Sequence, residues 1–340
     1  MLRRIRRTHL AGNRYGTGQL IWLHLRSHEA HLAAAEQARR SMKPHRGFSK
    51  ALVPVIAARI DPWAGTKEEV QVNYLPKGSN PDERRITMEF GPEHKTLQYL
   101  VLPALKAIAE LHPHQFGTGN GGSHAAIKRI AQAMNAGFHW ATEIDIENCF
   151  PSFDGKKIID LLPFPKEVTE RVILSRHLNL VPGNLNDLFG TMSGGAPCNT
   201  PHNTPVGPAC DLAPATVQIL AEARRGLSQG SATSTLLAEM LFAISLKLVP
   251  DLGLIFGYVD NFLVMAKSED DVVALTKALG SGGTPRRAAT TENHSNFLRW
   301  KAHRLSRPPP RGPAGDSHDR TLPPQSAEIP HHDEDGTSLH

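Results

Sequence analysis

The sequence predicts an α+β protein in which an antiparallel sheet is backed by helices and joined to a smaller mixed subdomain. Three observations carry this. Strand-like and helix-like runs alternate between residues 139 and 280. Two short apolar runs, Leu252–Phe256 and Phe262–Ala266, flank Gly257-Tyr-Val-Asp-Asn261 in the pattern of a hairpin. Ser231–Leu248 is a long, largely apolar helical run that begins at a serine able to cap free N–H groups. At 340 residues the chain is long enough for about two domains and a sizeable core. With 40% hydrophobic and 21% charged residues, its composition is that of a globular protein, which excludes wholesale disorder, collagen and coiled coil.

Along the chain, residues 1–50 read as a basic, irregular extension, apart from a helix over 28–42 where Ala, Leu, Glu and Arg predominate. The opening Met1-Leu-Arg-Arg-Ile-Arg-Arg7 lacks the apolar stretch and small-residue cleavage site of a targeting peptide, and reads as a basic arm. Residues 51–138 form the smaller subdomain. It starts with the apolar run 52–60, followed by Pro/Gly-punctuated strands and turns to residue 90. A helix over 95–111, interrupted by Pro103, then leads through the glycine-rich loop Gly117–Gly122 into a helix over 124–134. Residues 139–280 hold the main sheet, with a strand over 140–146 and a short helix over 156–162. A Gly/Pro/Asn-rich connection over 192–214 separates these from the long helix and the hairpin. Ser268 and Asp271, spaced like a capping box, open a last helix reaching about Leu279. Beyond Gly280, Pro, Arg, Ser and His replace any periodic apolar pattern, so 281–340 is expected to be a disordered or aberrant tail.

Lys and Arg outnumber Asp and Glu by 38 to 33, a net charge of +5 that fits a polyanionic partner. Three cysteines with no CxxC pair support neither a disulfide framework nor a cysteine zinc site, so a reducing, cytoplasmic setting is expected. The apolar run Leu20–Leu25 is far short of the ~20 residues a membrane span requires. Among 18 histidines, neither His112-Pro-His114 nor His331-His332 has further ligands at zinc-site spacing. Neither GxSxG nor HExxH occurs, which leaves hydrolase chemistry without a foothold.

Two segments stand out because each places an aspartate at the edge of an apolar strand: Thr142-Glu-Ile-Asp145-Ile-Glu-Asn-Cys-Phe150 and Phe256-Gly-Tyr-Val-Asp260-Asn261. A carboxylate beside a buried strand is costly unless it is paired, hydrogen-bonded or bound to a cation. Two of them brought together would repel, and a divalent cation held by oxygen ligands relieves that repulsion. For either segment alone, a capped strand end or an ordinary turn aspartate remains equally open. A third segment, Arg225-Gly-Leu-Ser-Gln229-Gly230-Ser-Ala-Thr-Ser234, lies between them in order and puts a Gln-Gly turn ahead of the long helix.

In that order the three segments resemble the palm of a bacterial reverse transcriptase, of the kind found in group II introns, retrons and phage-defence systems. The resemblance spans about Arg84–Leu279, and DIENCFPSFD and QGSATSTLLAEM are most similar to the group holding abortive-infection and other defence-associated enzymes. It implies a polymerase right-hand palm with a fingers subdomain, acting as an RNA-directed DNA polymerase. On this resemblance Asp145, Asp260 and Asn261 are catalytic. Asp145, the Ile146 carbonyl and Asp260 would hold two Mg2+ ions, with Mn2+ as a substitute. Phe150 falls at the steric-gate position, implying dNTP over NTP. Gln229, Gly230 and Tyr258 would lie against the incoming nucleotide and templating base, and Arg84 or Arg85 would clamp phosphate oxygens. The partners implied are an RNA template, a DNA or RNA primer and dNTPs, with no membrane.

The pattern departs from that family in three places. Tyr258-Val-Asp260-Asn261 stands where YxDD is usual, removing one negative charge and lowering the expected metal affinity. Ser228 replaces a common proline, which should loosen the turn. After Leu279 no Gly/Lys-bearing palm segment, primer-grip hairpin or thumb is recognisable, so the thumb is expected to be absent or truncated, as if the chain were cut short or read out of frame after about Ala278. The alternative reading is a catalytically impaired relative that binds nucleic acid in a phage-defence or structural role.

Overall fold

A run of helices comes first. The computed structural model describes residues 1–77, 80–146, 148–183, 214–247, 249, 251–280 and 300–306. Helices α1 (Leu2–Leu10), α2 (Arg14–Leu25) and α3 (His28–Ser41) precede a single turn at Lys50–Leu52 and α4 (Val53–Arg59). The expected irregular extension is therefore helical apart from its last residues. Its helices survive two glycines in α2 because Ile5, Ile21, Leu25, Ala34 and Ala35 are buried in the main core, and tertiary packing outweighs propensity. The apolar run 52–60, which the sequence left without an assigned element, is helical over Val53–Arg59.

The chain continues with β1 (Glu69–Lys77) and β2 (Asn80–Glu89), paired antiparallel, with β4 (Asn179–Pro182) added parallel to β1. The order in this sheet is β2-β1-β4. Val70, Val72, Met88 and Phe90 pack beneath it with Ile219 and Ala223 of a helix over Pro214–Ala223, an element the sequence reading did not anticipate. Next comes α5 (Pro92–Ile108), which contains Pro103 as expected, and then α6 (Gly122–Asn135) after the glycine-rich loop.

The second sheet is antiparallel with order β5-β6-β3-β7, from β3 (Trp140–Ile146), β5 (Leu254–Tyr258), β6 (Asn261–Ala266) and β7 (Trp300–Ser306). Alternation sets its faces. Ile144, Ile146, Phe262 and Val264 enter the main core, while Phe256 and Met265 meet Phe116 and Ala133 on the other side, against α6. Strand β7 falls inside the segment expected to be disordered. Its backbone pairs with the free edge of β3, from Ala141 opposite Ser306 to Ile146 opposite Trp300, and a short pairing of this kind leaves little trace in a low-complexity stretch. The rest of that tail, the connection 192–213 and Glu147 lie outside the described residues.

The remaining helices are α7 (Cys149–Ser152), α8 (Gly155–Leu161), α9 (Lys166–Val168), α10 (Pro214–Ala223), α11 (Ser234–Leu246) and α12 (Glu269–Gly280). At the start of α12 the first half of the expected box is present: the Ser268 hydroxyl accepts from the Asp271 N–H at 3.2 Å, and it donates to the Asp271 carboxylate at 2.6 Å. Helix α11 begins three residues later than Ser231. The Ser231 hydroxyl accepts from the Thr233 N–H at 3.3 Å, one residue ahead of the helix. Among the described residues no helix is long and apolar enough to cross a membrane.

Candidate functional site

A mostly polar cleft of about 580 Å³ opens at one end of the four-stranded sheet, and Asp145, Ile146, Phe150 and Asp260 line one side of it. The sheet register produces this convergence. Asp145 is opposite Asn261 in the β3–β6 ladder, and Tyr258 is opposite Asn261 in the β5–β6 hairpin. The two-residue turn Val259–Asp260 therefore sits beside Asp145. Val259 adopts φ +58, a left-handed conformation that a β-branched side chain resists at a cost of about 1–3 kcal/mol. Asn261 offsets the crowding of acids, since its amide donates to the Asp260 carboxylate at 3.3 Å.

The Cys149 thiol reports the local electrostatics. Burial pushes its pKa up, and the charges of Asp260 and then Asp145 push it further in the same direction. One buried group thus feels both carboxylates, and it stays a protonated thiol rather than a soft metal ligand.

Gln229 and Gly230 line the same cleft, held there from several sides. The Met88 N–H of β2 donates to the Gln229 carbonyl at 2.8 Å, and the Lys95 ammonium of α5 donates to the Gly230 carbonyl at 3.0 Å. Burial lowers the pKa of Lys95. Gly230 sits at φ +104, and a Cβ there would run into the Met88 carbonyl, so no other residue fits without movement. From the side of the four-stranded sheet the Leu227 N–H donates to the Phe150 carbonyl at 2.9 Å. The expected loosening at Ser228 does not occur: its buried hydroxyl is 2.7 Å from that of Ser175, a tether proline could not make.

The opposite wall comes from β2. Arg84 and Arg85 line the cleft with Ile86 and Thr87, and the Arg84 guanidinium lies 5.6 Å from the centre of the Tyr74 ring. Phe150 is 9% exposed; it belongs to the main core and also lines the cleft. Tyr258 and Asn261 are exposed on the hairpin and are not among the residues lining the cleft.

Sequence reasoning passed over several lining groups, among them Tyr74, Glu222, Ser231, Ser234 and Thr235. Ser234 is 1% exposed and its hydroxyl has no hydrogen-bond partner among the described residues, a buried polar atom beside the cleft. Glu239 was also missed. It is fully buried on α11, where its carboxylate accepts from the Gly117 and Thr118 N–H groups at 2.8 Å each and from the Thr118 hydroxyl. The loop held in this way backs the hairpin. The Phe116 N–H donates to the Gly257 carbonyl and the Gly257 N–H to the His114 carbonyl, both at 2.8 Å. A Cβ on Gly117 would strike both Glu239 and Val259.

Among the described residues no group of three or more His, Cys, Asp or Glu side chains gathers as a ready metal cage. The donors at the turn are two carboxylates and backbone or amide oxygens, without an ionised sulfur. That oxygen set suits a hard divalent cation completed by phosphate oxygens rather than zinc.

No protein-family model matches the chain, and no curated protein matches it by sequence. Among solved structures it is similar to apo telomerase from Candida Tropicalis truncated from the C-terminal domain, with a TM-score of 0.33 and 10% identity. The similarity covers 64% of this chain and 47% of that one, so the chain spans about half the length of its structural neighbour.

Proposed function

We propose that the cleft is the nucleotidyl-transfer centre of an RNA-directed DNA polymerase, in which the four-stranded sheet serves as the palm and the β1–β2 region as the fingers. The observation that carries this reading is the convergence of Asp145, Asp260, Phe150, Gln229, Gly230, Arg84 and Arg85 on one cleft, from segments up to 176 positions apart. A primer 3′-hydroxyl would attack the α-phosphorus of a dNTP opposite an RNA template base, releasing pyrophosphate. Arg84 and Arg85 supply fixed positive charge for the triphosphate, and the Gln229–Gly230 turn offers a backbone surface close to the base pair. The Phe150 ring, which lines the cleft, would crowd a ribose 2′-hydroxyl. Asp145 and Asp260, with the Ile146 carbonyl, would hold Mg2+ or Mn2+. Bound there, the cations would supply activation of the primer hydroxyl and charge stabilisation of the leaving pyrophosphate.

A second reading, a nucleic-acid-binding relative with impaired catalysis, is favoured by Asn261, which leaves the turn one carboxylate short of the YxDD pattern. Primer extension on poly(rA)/oligo(dT) with Mg2+ and then Mn2+ separates the two. Incorporation that Asp145→Ala abolishes supports the polymerase. Binding of the template–primer without incorporation in either metal contradicts it.

A further inference from the structure

A second cavity of about 840 Å³ shares one lining residue, Thr235, with the cleft. Arg6, Lys106 and Lys247 line it, with Glu110 as the opposing charge and Thr118 on its rim. Glu110 is already engaged on both oxygens, with His9 at 3.5 Å and Lys247 at 3.5 Å. Arg6 leads outward onto α1, where Arg3, Arg4, Arg6 and Arg7 are all exposed and, among the described residues, have no carboxylate partner. No acid precedes Glu29 in the sequence, so nothing on α1 or α2 neutralises them.

We propose that α1 and this cavity form one basic track that holds the sugar–phosphate backbone of a nucleic-acid strand running to the cleft. The proposal rests on the polymerase reading for the cleft and names the path of the strand beyond it. Fixed cations spaced along a helix and a cavity wall match a polyphosphate, whose binding releases counterions and requires no base contacts. A basic helix of this kind also suits an anionic membrane surface. Here, however, Ile5 at the middle of α1 is fully enclosed in the protein core, which leaves only Leu2 and Leu10 at the two ends of the helix as exposed apolar side chains for lipid.

The test is anisotropy of a fluorescein-labelled ~20-nucleotide RNA with the full chain, without divalent cation or dNTP, from about 50 to about 200 mM salt. Two variants are compared with wild type: Arg3→Gln/Arg4→Gln/Arg6→Gln/Arg7→Gln and Lys106→Gln/Lys247→Gln. A control, Lys156→Gln/Lys166→Gln, removes exposed charge elsewhere, and thermal midpoints confirm folding. The expected result is a Kd raised about tenfold or more in both track variants. The slope of log K against log salt should fall by about 3 in the quadruple variant, at ~0.7 per phosphate contact on a single strand, with the control unchanged. Unchanged affinity in both folded track variants overturns the track, as does an equal loss in the control. Selective loss of phosphatidylserine-vesicle binding with RNA binding intact also overturns it, in favour of a membrane role for α1. The two readings fail separately. Track-dependent RNA binding without incorporation removes the polymerase and keeps the track, whereas incorporation with normal binding by the variants does the reverse.

Discussion

Asp145 and Asn261 face each other across the β3–β6 ladder, and this register places the preceding residue, Asp260, beside Asp145 at the mouth of the cleft. A shift of one residue would turn the Asp145 side chain to the opposite face of the sheet. The buried alternation of Ile144, Ile146, Phe262 and Val264 fixes the register, so the apolar pattern of the strands positions the acidic pair.

Gly230→Ala should unseat the Gln229 turn. The left-handed φ and the Met88 carbonyl together make the substitution cost about 2 kcal/mol or more, read as a lowered thermal midpoint and a parallel loss of incorporation. A variant of wild-type stability would show that the turn is not held against β2.

Glu239→Gln should destabilise by about 1–3 kcal/mol, because one oxygen facing N–H and O–H donors is replaced by another donor. Through the Gly117–Thr118 loop the effect should reach the Val259–Asp260 turn, lowering incorporation even at temperatures where the variant is folded. Chemical denaturation and primer extension on the same sample check both parts.

Phe150→Val should narrow the preference for dNTP over NTP by about tenfold, on the order of 1.4 kcal/mol of discrimination. The ratio of incorporation efficiencies for dTTP and UTP is the readout. Lower stability with an unchanged ratio would leave Phe150 as core alone.

His94 links the fold to pH. Buried against Phe90, it has its pKa pushed down from 6.5 to about 4, so the native state keeps the ring neutral. Between those values the unfolded chain binds the proton and the native chain does not, so stability falls as pH drops from 6.5 toward 4. The share due to His94 is on the order of 3 kcal/mol at the acid end. In His94→Leu, thermal midpoints measured across that window should decline less steeply than in wild type, and equal slopes would contradict the assignment.

Much of the site was legible because it lies on elements with strong local signals. The alternation of Trp140–Ile146 and the paired runs around Tyr258–Asn261 give strands β3, β5 and β6, and the Gln229–Gly230 turn is marked by its glycine ahead of a long apolar run. Of the N-terminal helices, α3 was legible from its Ala, Leu, Glu and Arg content, whereas α1 and α2 were not: α1 buries Ile5 under an arginine-rich surface, and α2 carries two glycines, so long-range packing rather than propensity makes them. The role of Glu239 could not be seen either, since a single carboxylate in an apolar helix reads as a polar interruption until the Gly117–Thr118 loop is placed against it. Ser228 carried the opposite difficulty. Its loss of a proline was visible, and its partner Ser175 was not.

If Asp145 and Asp260 act on one shared cation site, Mn2+ titration followed by the electron paramagnetic resonance of free Mn2+ will register both. Wild type, Asp145→Asn, Asp260→Asn and the double variant are compared with template–primer and a non-reactive dNTP analogue present. Either single substitution should weaken Mn2+ binding about tenfold or more, and the double variant should bind little worse than the singles, because the second change removes a ligand from a site already broken. Independent, additive losses, or binding unaffected by Asp145→Asn, would mean that the two carboxylates do not share a cation.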